Sequence, residues 1–404
     1  MLKSFKFQLL PNEQQKKLLM QHFGCKRFTW NYFLNKRKDE YLNNKKTLNY
    51  YDCAADLTIL KTDDDYIWLK DVNSQMLQHT LRDLDTAYNR FFRKQSKFPK
   101  YKSKHHKQSF RVPQHITVAD GKIHFPKFKE GIKVNVHRNF GEISFITVSM
   151  TPTGKFFVSL TCECKEVKKL KPNKNKIGVD LGIKEFAVCS NGDRFVNPKH
   201  YQKVEKKLKF NQRKLSGQQK GGTSRNKQRI KVALLHERVA NSRLDFLHKL
   251  SKKLIDENQV ICVEDLNVKG MMSNHKLAKA IGTTRWGGFL RQLTYKAEWY
   301  GRTLVVIDRF FPSSKTCNNC GYIKEDLSLR VREWECESCK TYIDRDLNAS
   351  LNILLQGLNM TGSGAESVTK QKQVESLALV KAEKPEASNS IRAKRRIELE
   401  VVHK

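Results

Sequence analysis

The stretch KIGVDLGIKEFAVCSNG, Lys176 to Gly192, decides the fold. An apolar run closes on Asp180, a glycine turn follows, and a second β-rich run leads to another turn, so the segment reads as strand, tight turn, strand. A carboxylate ending a buried strand costs desolvation energy unless something positive shares its site. Downstream, QVICVED (259–265) reads as a second buried strand, ending near Glu264. RWGGFLRQLTYKAEWYG (285–301) follows as a helix and TLVVIDRF (303–310) as a further strand. Strand, strand, helix, strand, helix predicts an α/β core.

A third acid stands in DRDLNASLNILL (344–355), at the start of a helix whose Leu347, Leu351, Leu354 and Leu355 face the core. Three acids delivered by two strands and one helix start can meet at one sheet end. Unpaired they would repel and their pKa values would climb. Mg²⁺ removes that penalty, because it takes oxygen ligands and bridges carboxylates to a phosphate. Taken singly, each acid also reads as a turn or cap residue, Asp344 and Asp346 as an N-cap. The ordered triple points to chemistry because cysteines of metal-binding spacing stand just before its last member.

Those cysteines are Cys317 and Cys320 in CNNC and Cys336 and Cys339 in CESC, a C-x2-C-x15-C-x2-C pattern. Two thiolate knuckles of this kind complete a tetrahedron around zinc, and four thiolates leave no open position, which makes the ion structural. The other six cysteines are scattered, mostly in apolar segments, and read as buried free thiols.

The chain has 404 residues, with 77 basic against 41 acidic side chains and a net charge of +36. Such a field attracts a polyanion, and phosphate backbones are the usual one. A membrane partner is not expected, since no run of 18 apolar residues and no signal peptide occurs. Cytoplasmic, nucleoid-associated life in a prokaryote is the expectation.

Toward the N-terminus, LKSFKFQLL alternates as an edge strand would, and residues 11–44 read as helix, glycine break, helix. Residues 71–92 place Leu77, Leu81, Leu84, Tyr88, Phe91 and Phe92 on one helical face. The strap Arg93–Arg111 holds eight lysines and arginines, no acid, and the aromatics Phe98, Tyr101 and Phe110. Rings stack on bases while ammonium groups meet phosphates, so it reads as a nucleic-acid contact. From 110 to 165 a period of two, with turns at DG and TPTG, predicts a small antiparallel barrel completed by the first strand. Residues 199–231 carry twelve basic side chains and one acid, in helices flanking a GQQKGGTS break.

The string GVDLGI … VEDLNV … PSSKTCNNCG … WECESC … DRDLNASLNIL resembles the TnpB family, insertion-sequence proteins related to type V CRISPR effectors. FQLLPNEQQKKLL…FGCKRFTWNYFL and FPKYKSK add to the resemblance, which runs from about residue 3 to 355. It implies an α+β multidomain fold: a RuvC-like RNase H α/β core with an embedded four-cysteine zinc ribbon, an antiparallel wedge β-barrel and an inserted α-helical recognition domain. The expected boundaries are 1–10 plus 106–170 for the wedge, 11–105 for the recognition insert, 171–310 plus 341–356 for the nuclease, 311–340 for the ribbon and 357–404 for a flexible basic tail.

The resemblance further implies RNA-guided cleavage of double-stranded DNA with a transposon-encoded guide RNA. The family's catalytic, magnesium-holding acids fall on Asp180, Glu264 and Asp346. Asp346 is preferred because it directly precedes the LNAS helix start, and Asp344 stays open. Candidate nucleic-acid contacts are Trp30, Asn31, Gln75, Gln78, Lys100, Lys102 and Lys104. The 52 residues from 265 to 316 hold one histidine, His275, so no second, HNH-type nuclease fits there. Two other functions share these residues: a transposase performing strand transfer itself, and a non-cleaving nucleic-acid-binding regulator.

Overall fold

The computed structural model describes residues 2–164, 167–328 and 330–362. The chain divides into one unit of Met1–Lys171, Pro198–Lys252 and Trp299–Gly301, and a second of Pro172–Asn197, Lys253–Glu298 and Arg302 onward.

The first unit opens with β1 (Leu2–Leu10), followed by α1 (Glu13–Asn44), α2 (Tyr50–Leu60) and α3 (Ser74–Phe92). Then come β2 (Gln108–Val112), β3 (Thr117–Ala119), β4 (Lys122–Phe125), β5 (Phe128–Asn135), β6 (Glu142–Met150) and β7 (Phe156–Glu163). The strands form one sheet in the order β2-β6-β7-β1-β5-β4-β3, with every neighbouring pair antiparallel. β1 is therefore central, where its alternation suggested an edge. Phe7 and Leu9 point into the core while Lys6 lies outward, its Nζ 4.2 Å over the Phe157 ring. Alternation reports which face is buried and says nothing of how many neighbours a strand has.

The predicted barrel does not close: β2 and β3 end the sheet and do not pair with each other. Helices cover the apolar face instead. His22 and Phe23 of α1 meet Phe110 of β2, ring centroids 5.2 and 5.3 Å apart. A face sealed by helices needs no strand-to-strand closure. The DG turn forms as expected, with both Asp120 and Gly121 at positive φ between β3 and β4.

α1 runs unbroken through Gly24, where a break was expected. Glycine costs a helix interior about 1 kcal/mol, too little to interrupt a helix anchored by an Asn12–Gln15 capping box and a buried face. α3 buries Leu77, Leu81, Leu84 and Tyr88 as its period predicts, but Phe92 at its end is exposed.

The second unit begins with β8 (Lys176–Asp180), β9 (Glu185–Cys189) and β10 (Arg194–Val196). Residues 198–252 then return to the first unit with α4 (His200–Ser216) and most of α5 (Thr223–Glu257), on either side of the glycine break. There follow β11 (Val260–Glu264), α6 (Val268–Met271), α7 (His275–Thr284), α8 (Trp286–Tyr300), β12 (Thr303–Ile307), the β13 (Glu333–Glu335) and β14 (Tyr342–Asp344) hairpin, and α9 (Arg345–Gly362). The sheet order is β10-β9-β8-β11-β12. β8, β11 and β12 are parallel, and β9 and β10 continue antiparallel.

α9 packs on β8, β9, β11 and β12. It continues to Gly362, so residues 357–362 of the predicted tail are helix, with Met360 against the core. The rest of that tail lies outside the described residues. Among the described residues, no helix is long and apolar enough to cross a membrane.

Candidate active site and four-cysteine centre

Register places the first two acids side by side. Val179 pairs with Val263 across parallel strands, so Asp180 and Glu264 leave neighbouring strands at the same level and toward the same face. Adjacent strands run about 4.8 Å apart. Ligand sites of open α/β sheets lie at such carboxyl ends, where connections diverge.

Two glycines bring the third acid there. A Cβ on Gly178 would sit 2.1 Å from the Ser350 carbonyl oxygen and 2.7 Å from the Leu354 nitrogen. A Cβ on Gly357 would sit 2.3 Å from Cys262 Sγ. α9 thus lies directly on the face that carries Asp180 and Glu264. Four residues back from Ser350 is about 6 Å of helix, and two residues on from Gly178 is about 6.6 Å of strand. These distances match, and Asp346 acts electrostatically on Asp180, as two acids at one level would.

The electrostatics agree. Burial pushes the Asp180 carboxyl up to about 7, and the negative Asp346 adds to the push, while Arg345 and Arg332 oppose it. Burial, then Asp180 and Asp265, push Glu264 up to about 7, against a hydrogen bond from the Ser313 side chain. Each acid feels the next. Two desolvated carboxylates, each pushed up by a neighbouring acid, suit a hard divalent cation.

Asp344 and Asp346 are told apart by their partners. Asp344 Oδ1 accepts from the Leu347 N–H at 2.8 Å, capping α9, and its Oδ2 pairs with Arg194 Nη2 at 2.9 Å. Asp346 is the one coupled to Asp180, and it is also held by Arg332, Nη1 to Oδ2 3.2 Å.

The four cysteines converge, their sulfurs all within 4.8 Å of one another. Cys317 and Cys339 are 3.6 Å apart and Cys320 and Cys336 3.5 Å. A tetrahedral ion with sulfurs at 2.3 Å would set them about 3.8 Å apart, so the set fits one. Each knuckle closes on a left-handed residue, Gly321 or Lys340, whose N–H returns to the carbonyl of Cys317 or Cys336. Thr341 and Asn319 hydrogen bond to Cys339 and pull its thiol down to about 5, toward the ligating thiolate.

In the first unit, Trp30 and Asn31 are engaged with the basic strap. Trp30 Nε1 donates to the Lys100 carbonyl at 3.0 Å. The Asn31 amide donates to the Lys102 carbonyl at 2.9 Å and accepts its N–H at 2.8 Å. Lys102 Nζ lies 3.2 Å over the Trp30 ring, and Lys100 and Lys104 are exposed. Gln75 donates to Gln114 Oε1 at 2.9 Å, and Gln78 is exposed one turn along α3.

Sequence reasoning missed Arg332, Ser313, Asn348 and Asn352. A signal existed for the last two: asparagines four apart inside a helix are poor helix formers, so burial must have given them partners.

The chain matches three family models: OrfB_IS605, described as "Probable transposase", over residues 159–275; the "Cas12f1-like, TNB domain" over 286–353; and the "Helix-turn-helix domain" of OrfB_IS605 over 1–46. It is 38% identical to a Streptomyces pristinaespiralis protein named "Putative RNA-guided DNA endonuclease", across 90% of this chain and 91% of that one. It is 31% identical to "Putative RNA-guided DNA endonuclease InsQ" of Escherichia coli (strain K12), across 88% and 92%. A third relative, "TnpB-like protein L79" of Acanthamoeba polyphaga mimivirus, is 31% identical across 46% and 38%. With the ordered acids, the paired cysteine knuckles and a relative matched along nine-tenths of its length, the chain belongs to the TnpB family.

Proposed function

We propose that this protein is the RNA-guided DNA endonuclease of a transposable element, cutting double-stranded DNA beside a short flanking motif. The reading is supported by Asp180 and Glu264 ending neighbouring parallel strands and by the electrostatic influence of Asp346 on Asp180. In this reading the second unit is a RuvC-like, RNase H-type nuclease with an embedded ribbon holding structural zinc on Cys317, Cys320, Cys336 and Cys339. The sheet of the first unit is the wedge and α1–α3 the recognition insert, while residues 198–252 group with the first unit and α9 carries the nuclease segment on to Gly362.

Asp180, Glu264 and Asp346 hold catalytic Mg²⁺, and bound magnesium supplies Lewis-acid stabilisation and an activated water for phosphodiester hydrolysis. Asp346 lies in the first turn of α9, whose positive end would favour an incoming phosphate. A single such site must cut the two strands in turn. Base pairing with a transposon-encoded guide RNA reads the target, while the protein grips backbones and reads only the flanking motif. Lys100, Lys102 and Lys104 meet phosphates on a strap that Trp30 and Asn31 hold in place, and Gln75 and Gln78 present amides for base edges.

The test is to sequence the RNA that co-purifies with the chain, replace its guide segment, and assay plasmids carrying the matching target with a randomised flank. Cleavage that follows the new guide supports the reading. End joining of transposon ends by ribonuclease-treated protein would replace it with the strand-transfer alternative.

A further inference from the structure

Resting on that carboxylate site, we propose that Asn318, Asn348 and Asn352 are positioning residues that make cation binding by Asp180, Glu264 and Asp346 depend on metal in the four-cysteine ribbon. Asn348 and Asn352 lie one turn apart on α9, 5% and 3% exposed. Asparagine is a poor helix former, and a buried amide is costly unless bonded. Here both amides bond to one loop. Asn348 Nδ2 donates to the Thr316 carbonyl at 2.7 Å, and Asn352 Nδ2 donates to the Ser313 carbonyl at 2.8 Å. Their oxygens accept from Asn318: its backbone N–H to Asn348 Oδ1 and its amide to Asn352 Oδ1, both at 2.9 Å.

Asn318 sits inside the first knuckle, between Cys317 and Cys320. Its backbone position is set by whatever binds those sulfurs. Asn348 is two residues from Asp346 on the same helix, so the knuckle holds the third acid through one hydrogen bond and half a turn. Only amides transmit the knuckle's position to the helix, as outer-shell partners orient ligands in metal sites generally.

The experiment measures Mn²⁺, an EPR-visible oxygen-seeking surrogate for Mg²⁺, on the full-length protein with the ribbon zinc-loaded or zinc-stripped. Asp180→Asn identifies which Mn²⁺ is bound at the carboxylates, and the visible spectrum of Co²⁺ in the ribbon reports intact thiolate coordination. The expected result is about fivefold or more tighter Mn²⁺ binding when the wild-type ribbon is loaded, a typical coupling between linked sites. Asn348→Leu, with its Co²⁺ spectrum unchanged, loses the acceptor of the Asn318 backbone N–H and should bind Mn²⁺ equally whether loaded or stripped. Asn348→Ala, which removes the same acceptor with a smaller side chain, should do the same and stands in should Asn348→Leu fold poorly. Wild-type affinity indifferent to ribbon metal, or full coupling retained in either well-folded variant, overturns the proposal. Mn²⁺ binding that Asp180→Asn leaves untouched removes the carboxylate reading itself, and the coupling with it.

Discussion

Arg332 holds Asp346: its Nη1 lies 3.2 Å from Oδ2 and 3.3 Å from Oδ1. The arginine precedes β13 of the β13–β14 hairpin, and the acid opens α9. The guanidinium is half-exposed, and pairs of that kind contribute roughly 0–1 kcal/mol. It competes with a metal ion for the carboxylate without blocking it. Arg332→Gln should therefore tighten Mn²⁺ binding up to about fivefold, read by EPR titration. Weaker binding in the variant would mean that the arginine helps to build the site.

The acids are costly to keep together without a cation. Asp180→Asn removes one buried charge and relieves Glu264, so in EDTA at pH 8 it should raise the melting temperature by several degrees. Added Mg²⁺ should narrow the gap by stabilising only the wild type. A variant less stable than wild type in EDTA would show that Asp180 already has a stabilising partner in the protein.

Two glycines separate propensity from packing. Gly178→Ala drives a methyl into the α9 backbone and should cost at least about 1–3 kcal/mol, together with Mn²⁺ affinity. Gly24→Ala meets nothing nearer than Arg27 Nη2 at 4.0 Å and should gain about 0.5–1 kcal/mol. Urea denaturation of both, beside wild type, checks the contrast.

His22 gives the first unit a pH dependence. It is fully buried and neutral, with Nδ1 bonded to the Leu18 carbonyl at 2.8 Å and Nε2 accepting the Asn73 N–H at 3.3 Å. Burial holds its pKa down at about 4, well below the free value of 6.5. Between those values the unfolded chain binds the extra proton, so stability is complete above pH 6.5 and falls as pH drops toward 4. The loss is about 3 kcal/mol. His22→Gln should flatten that window in urea titrations, and an unchanged slope would place the acid sensitivity elsewhere.

Much of the site was legible because its parts are local. Asp180 and Glu264 each end a short apolar run, and the cysteine spacing admits few structures. The choice of Asp346 over Asp344 rested on one helix-start motif, and Asp344 proves to be the cap of that helix. What the sequence hid is non-local. Nothing in LKSFKFQLL tells a central strand from an edge, since both alternate. Closure of the first unit's sheet depended on whether α1 and α3 or another strand would cover Phe110 and Ile123. Trp30 and Asn31 looked free to read bases because their partners, the backbone groups of Lys100 and Lys102, lie some 70 residues away.

Strand-resolved cleavage by Glu264→Gln tests the central claim most directly. Protein carrying its guide RNA is mixed with target duplex labelled on either strand, and both cuts are timed in Mg²⁺. Losing a metal-holding carboxylate costs several kcal/mol of transition-state stabilisation, about a thousandfold or more in rate. Both strands should slow together by that factor while RNA and DNA binding persist. Either strand still cut at the wild-type rate would place its chemistry outside the site formed by Asp180, Glu264 and Asp346.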